Sequence, residues 1–253
     1  MKVSIILNNR HLRNAGIIFL WIIIWQGCYM LVGEDLLLAS PAAVFSRILR
    51  LAGTLSFWNT IRWTLSRILC GFFLGLVFGT LAAFAAAKFR WLDAFLSLPM
   101  NVIKSTPVAS FVILALVWID GRNLSIFIAF LMVLPIVWYN VRAGIRSVDS
   151  KLLEMAAVFR VGRLEIFRKI TLPAVLPHFL SAVKTGLGFS WKAGIAGEVL
   201  AIPANAIGTR LYNAKVYWET TDLFAWTIVI ILLSMVLEHL IIQALNRISD
   251  SSA

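Results

Sequence analysis

Apolar positions along this chain come in long runs, without the regular polar interruptions of a water-soluble fold. A helix that crosses the hydrocarbon core of a bilayer needs about 20 mostly apolar residues, and about six segments approach that description. They are Ala15–Val32, Thr60–Ala87, Thr106–Ile119, Leu124–Tyr139, Ala174–Leu200 and Leu223–Leu245. The third and fourth are short, and Asp120-Gly121-Arg122-Asn123 between them is a turn sequence, so two spans joined by a tight turn are predicted. The pattern predicts an all-α, polytopic membrane protein.

Two segments have a different rhythm. Ser40-Pro41 predicts the start of a short amphipathic helix, with Ser40 as cap and Pro41 at the first helical position. Val44, Ile48 and Leu51 share its apolar face, which is expected to rest on the outer membrane surface. From Val141 to Leu172 the chain is too polar to span. Leu152, Met155, Ala156 and Phe159 recur at helical spacing, and after an interruption at residues 160–162 so do Ile166, Phe167 and Ile170. A helix, a turn and a second short helix are predicted, closed by Leu172-Pro173 at a membrane entrance. Each helix has an apolar face that needs a partner.

Within the second span Gly71, Gly75, Gly79, Ala83 and Ala87 recur at every fourth position. In lipid such a stripe serves close approach of another helix backbone.

Composition strengthens this picture. The chain has 253 residues, of which 60% are hydrophobic and 14% charged, where soluble domains have about 45–50% and about 25%. The net charge of +11 does not point to nucleic acid: the cations sit in short segments between apolar runs, and no zinc-ligand spacing accompanies them. Charge instead sets orientation. With the N-terminus inside, Lys2, Arg10, Arg13, Lys88, Arg90, Lys104, Arg142, Arg146, Lys151, Arg160, Arg163, Arg168, Lys169 and Arg247 fall on the inner side. Arg47, Arg50, Arg122, Arg210 and Lys215 fall outside. That bias places both termini in the cytoplasm. Trp25, Gln26 and Tyr29 stand where a cleavage site would follow Ile17–Ile24, so an uncleaved first span is expected.

Candidate chemistry is sparse. Cys28 and Cys70 lie inside apolar runs, and His11, His178 and His239 are scattered without metal-ligand spacing. No catalytic constellation is found, and Gly71, Gly75 and Gly79 are followed by no Gly-Lys-Ser/Thr. The chain is therefore expected to have no catalytic residues, no metal and no cofactor of its own. Arg62, Arg67, Lys184, Lys192 and Glu198 fall within or at the edges of spans, where charges are costly and usually pair or face the bundle interior. Glu198 is expected to pair with Arg62 or Arg67; a gate or substrate contact is the functional alternative. Lys192 and Lys184 could attract small anions to a translocation path, although Lys184 can also snorkel to head groups.

Glu154-Met155-Ala156, followed by Arg163-Leu164-Glu165-Ile166-Phe167-Arg168-Lys169-Ile170-Thr171-Leu172-Pro173, resembles the EAA signature of ABC importer permeases. The resemblance extends to residues 143–149, to Gly197-Glu198-Val199-Leu200 with Ile207-Gly208, and to Ser40-Pro41 and residues 65–72. It covers most of the chain from about residue 36 and is nearest the nitrate, sulfonate and taurine class. It implies a type I ABC importer permease fold, with an N-terminal span and amphipathic helix in residues 1–55. A transport domain would occupy 56–248, with its coupling loop at about 141–173. It also implies that Glu154, Met155, Ala156, Phe159, Arg160, Gly162, Arg163, Ile166, Phe167, Leu172 and Pro173 couple the chain to a cytoplasmic ATPase. Two copies of that ATPase, carrying ATP and Mg, would serve a homodimer of this chain in a lipid bilayer, the bacterial inner membrane. An extracytoplasmic solute-binding protein would deliver a small anion or a vitamin precursor. The other reading is a channel or secondary transporter that needs no ATPase.

Two positions depart from the family pattern. Met155 stands where alanine is frequent, and Arg160 stands at the glycine of the turn. A non-glycine residue at positive φ costs about 1 kcal/mol or more. The turn is therefore expected to be reshaped, with Gly162 starting the second helix.

Overall fold

A computed structural model describes the backbone of residues 10–250 and the side chains of residues 13–244. Lys2 lies outside the described residues, as do the side chains of Arg10, His11 and Arg247. The chain runs as α1 (Arg10–Val32), α2 (Pro41–Ala52), α3 (Leu55–Lys88), α4 (Arg90–Ser105), α5 (Val108–Ala115), α6 (Gly121–Arg146) and α7 (Ser150–Val158). It continues as α8 (Arg163–Ile166), a π-helical turn at Phe167–Thr171, α9 (Leu172–Ala201), α10 (Ile207–Val216) and α11 (Thr220–Asp250). No strand occurs among the described residues. Helices long and apolar enough to cross a membrane cover Arg13–Val32, Leu55–Lys88, Gly121–Arg146, Arg163–Ala201 and Thr220–Ala244.

The expected third span is different. Only Val108–Ala115 is helical there, about 12 Å at 1.5 Å per residue, too short to cross. It follows α4 at a bend of 105°. Pro107 supplies no N–H to continue α4 and holds Thr106 in an extended conformation, which forces the break. The pair is one broken span or a re-entrant loop. Lys104 therefore does not belong to a connecting loop beside Lys88 and Arg90. It lies about 21 Å along α4 from Arg90. The turn before α6 is also shifted, to residues 116–120, and Gly121, Arg122 and Asn123 open the helix.

The chain divides into two compact units. Of the described residues, the first comprises 10–59 and 210–231. Gly33, with φ +67°, ends α1 by donating its N–H to Tyr29. Ser40 caps α2 by accepting from the Ala43 N–H at 3.2 Å. The apolar face of α2 is covered by protein, not left for lipid as expected: buried Val44 clusters with Ala39 and Ala225, and Trp25, Ile48, Leu51 and Phe224 pack around them. The Trp25 and Phe224 rings stack at 5.7 Å. Arg47, on α2, forms a two-pronged ion pair with Asp222, one contact of which is 2.7 Å. That hydrogen bonding raises the Arg47 pKa further above its ordinary value, against the opposing effect of partial burial.

Of the described residues, the second unit comprises 60–209 and 232–250. Its core packs Phe72, Leu76, Val133, Val137, Trp138, Ala182, Val183 and Leu187 from α3, α6 and α9. The small-residue stripe is the seam between α3 and α6. A Cβ at Gly75 would lie 2.6 Å from Val133 Cβ, and one at Gly79 would lie 2.8 Å from Val137 Cβ. At Gly71 it would collide with the Ile126 carbonyl. Ala83 continues the seam, fully buried, whereas Ala87 is exposed and lies beyond it. With no hydrophobic drive between helices in lipid, this close approach is what van der Waals packing needs.

Candidate functional site

The polar segment after α6 folds into two helical pieces joined by a tight turn. Asp149 caps α7 by accepting from the Lys151 N–H at 2.9 Å. At the other end the Arg160 N–H donates to Ala157 at 3.1 Å and the Val161 N–H to Ala156 at 2.9 Å. These paired bonds are a Schellman cap, which requires a left-handed residue at Arg160. Arg160 has φ +51°, so the glycine-type turn is retained with a side chain in place, and the expected reshaping does not occur. Its strain is worth about 1–2 kcal/mol, partly offset by the extra unfolded-state freedom of glycine. Arg160→Gly is expected to stabilise the protein by up to about 1 kcal/mol, and Arg160→Val to destabilise it by at least that much. Thermal unfolding of the two variants in lipid nanodiscs checks both.

Gly162, extended, starts α8 as expected. The second piece does not stop at Leu172-Pro173. Helical backbone continues from Arg163 to Ala201. The π turn shifts the hydrogen-bond register by one residue, with the Leu172 N–H donating to Phe167. Pro173 follows this π turn as the second residue of α9 and has no N–H of its own to place in the ladder.

Ala156 is buried, and the Phe167 ring lies 5.8 Å from that of Phe84 on α3. Ile166 is half-buried. Glu154, Met155, Phe159, Arg163, Leu172 and Pro173 are exposed. The apolar exposure is large: Val158 is 79% accessible, Phe159 75%, Leu164 62% and Met155 50%. Glu165 and Lys169 pair one turn apart at 3.3 Å. The hairpin thus presents an apolar face rimmed by Arg160, Arg163, Arg168 and Lys169.

The other site is buried. Glu198 is fully inaccessible near the end of α9. Its Oε2 accepts from the Thr64 hydroxyl at 2.9 Å and from the Gly208 N–H at 3.2 Å. Its Oε1 lies 3.6 Å from Arg67. Arg67 also donates to the Ala204 carbonyl, and Thr64 accepts from the Ile207 N–H. The partner of Glu198 is therefore Arg67. Arg62, five residues earlier and so on another face of α3, is exposed with its guanidinium over the Trp63 ring at 5.8 Å. Thr64 and Gly208 are the members that charge alone does not reveal. The signal for Thr64 lies in spacing, because Thr60, Thr64 and Arg67 make one polar line along an apolar helix. At Gly208 any Cβ would strike the Glu198 and Val199 backbone, so only glycine brings this amide to the carboxylate. Lys192 is exposed on α9, with no salt bridge or hydrogen bond among the described residues.

Several helices long and apolar enough to cross a membrane, with one further helix pair bent at a break, define a multi-pass membrane protein. The chain belongs to the family of binding-protein-dependent transport system inner membrane components, whose model matches residues 75–252. It is similar to the taurine transport system permease protein of Escherichia coli, 24% identical over 88% of this chain and 82% of that one. It is also similar to the riboflavin transport system permease protein of Chloroflexus aurantiacus, 26% identical over 87% and 82%. Its fold resembles that of a bacterial ABC transporter that imports the acidic polysaccharide alginate. The TM-score is 0.60 at 17% identity, covering 98% of this chain and 99% of that one. A methionine ABC transporter in inward-facing conformations gives a TM-score of 0.55 at 21% identity, covering 78% and 94%. The chain is thus a permease component of an ABC importer, with a transport role.

Proposed function

We propose that this permease carries a small solute, anionic in character, across the bacterial inner membrane, driven by a separate cytoplasmic ATPase. The observation that carries this reading is the exposed apolar face of the α7–α8 hairpin, which needs a protein partner. In this reading residues 56–248 are the transport domain, and residues 1–55 add one span and the amphipathic helix. Both termini lie in the cytoplasm, where the inner excess of lysine and arginine puts them. Two copies of the chain form the path, and each hairpin seats in one ATPase subunit. ATP and Mg are held there and not on this chain. ATP-driven closure of the ATPase pair draws the two hairpins together, and the long spans convert that movement into alternating access. The continuous helix Arg163–Ala201 is suited to this, because it joins the hairpin to the Glu198 cluster without a flexible break. An extracytoplasmic binding protein delivers the solute. Related permeases named for taurine, aliphatic sulfonates and bicarbonate support an anion, and one named for riboflavin supports a vitamin precursor as the other candidate.

The test is reconstitution of the chain with a candidate ABC ATPase and a candidate solute-binding protein of the same host. ATPase co-purification, and hydrolysis stimulated by loaded binding protein, are the expected results. Deletion of Leu152–Lys169 should abolish both. Transport that persists after that deletion would establish the ATPase-independent channel or secondary transporter instead.

A further inference from the structure

The 105° bend between α4 and α5 opens onto a cavity of about 640 Å³, within the size range of small-molecule sites. All of its lining residues belong to the second unit. The α6 residues Met132–Tyr139 in its wall lie about 16 to 27 Å along a helix of roughly 39 Å, which puts the cavity in the middle of that span. Most of the wall is apolar. Among the described residues that line it, Lys104 alone carries a charge. Its ammonium lies 5.1 Å from the centre of the Tyr139 ring, and the Tyr139 hydroxyl is held by Asn101. No carboxylate pairs with Lys104 among the described residues. The Ser105 and Thr185 hydroxyls in the same wall likewise have no hydrogen-bond partner among the described residues.

An unpaired ammonium in mid-span is costly, and such a group marks a ligand path more often than a structural pair. Here the exposed Lys104 side chain sits beside the exposed, unengaged hydroxyls of Ser105 and Thr185 and a largely apolar wall. We propose that this cavity is a binding station for a small organic anion with a short apolar body. The anionic group meets Lys104, with the Thr185 hydroxyl as a further donor, and the carbon body lies against Met132, Pro135 and Phe189. The proposal rests on the permease reading and deepens it by assigning the residues that would meet the anion. A cation is repelled, and a neutral solute leaves Lys104 uncompensated. One ion–dipole and one charge contact in an otherwise apolar site also suit a carrier, which must release what it binds.

The test uses the permease with its ATPase in lipid nanodiscs. Cys28 and Cys70, both exposed, are first replaced by serine. Thr185→Cys then provides one thiol in the cavity wall. Its labelling rate is measured with an anionic sulfonatoethyl methanethiosulfonate and with its cationic trimethylammonium counterpart. Each rate is divided by that for a small free thiol, so that thiol reactivity cancels. The anionic reagent is expected to be favoured about tenfold or more. Lys104→Gln should erase that preference and Lys104→Arg should keep it. Excess butane-1-sulfonate should slow labelling only when residue 104 is cationic. Equal normalised rates, a preference that survives Lys104→Gln, or no protection by butane-1-sulfonate overturns the site. ATPase stimulation by the binding protein, measured on the same nanodiscs with Thr185 intact, reports separately on the permease reading. If stimulation is retained and the charge preference is absent, the site alone fails. If the ATPase never associates, the permease reading fails and the labelling ratio still decides the cavity.

Discussion

Replacing Glu198 by alanine is expected to lower the stability of the folded protein by about 3–5 kcal/mol, the usual cost of breaking a buried pair from one side. The carboxylate is fully buried and Arg67 is only 8% accessible. Removing Glu198 strands that guanidinium, the Thr64 hydroxyl and the Gly208 N–H together. Two of these groups belong to α3 and one to the start of α10, while Glu198 is on α9, so the loss loosens the contact of three helices and not one contact. Denaturant unfolding in mixed micelles measures it. Removing both partners, as Arg67→Met with Glu198→Met, should recover much of the loss, because the uncompensated charge disappears with its partner. A charge swap should not recover it. Thr64 and Gly208 both donate to position 198, and an arginine there would set donor against donors. A loss of less than about 1 kcal/mol for the single substitution, or a double variant no better than the single, would show that the pair does not hold this end together.

Five of the six expected spans, the Gly71–Gly75–Gly79 seam and the helix–turn–helix hairpin are legible in the residue pattern, because each depends on periodicity within one segment. What is not legible depends on geometry between segments. Thr106–Ile119 reads as a span because it is apolar, but Pro107 breaks the helix, and length then decides. The α2 face reads as lipid-facing because apolar periodicity cannot distinguish lipid from Ala225 and Phe224. Arg62 and Arg67 are equivalent candidates for Glu198 by charge. The choice follows from the polar line Thr60–Thr64–Arg67, which places only Arg67 on the buried side. Lys104 looks like one more cation of a basic loop until α4 carries it away from Arg90. At Arg160, residue type alone argues against a left-handed turn. The Schellman bonds from Arg160 and Val161 repay part of that strain, and the conformation persists.

Placing glutamate at both Met155 and Phe159 is expected to weaken ATPase association by at least about 30-fold, equivalent to about 2 kcal/mol, and to abolish transport. The two side chains are 50% and 75% accessible, so their replacement removes apolar contact with a partner and little contact within the chain. Thermal unfolding of the isolated permease should therefore stay close to that of the parent, while ATPase pull-down and ATP-driven uptake fall together. Ala156→Glu makes the opposite case. Ala156 is 1% accessible, and a carboxylate there would be buried against the chain itself, so that variant should lose stability before it loses docking. Charge on the rim supplies the remaining control. If the hairpin only gripped anionic lipid, Arg168→Gln with Lys169→Gln would impair transport more than the Met155 and Phe159 changes, since lipid binding scales with cations near the surface. If the hairpin docks into a protein groove, the apolar pair dominates, because interface energy concentrates in a few desolvated side chains while exposed rim charges contribute little. The order of the two double variants therefore separates a coupling surface from a membrane-surface loop.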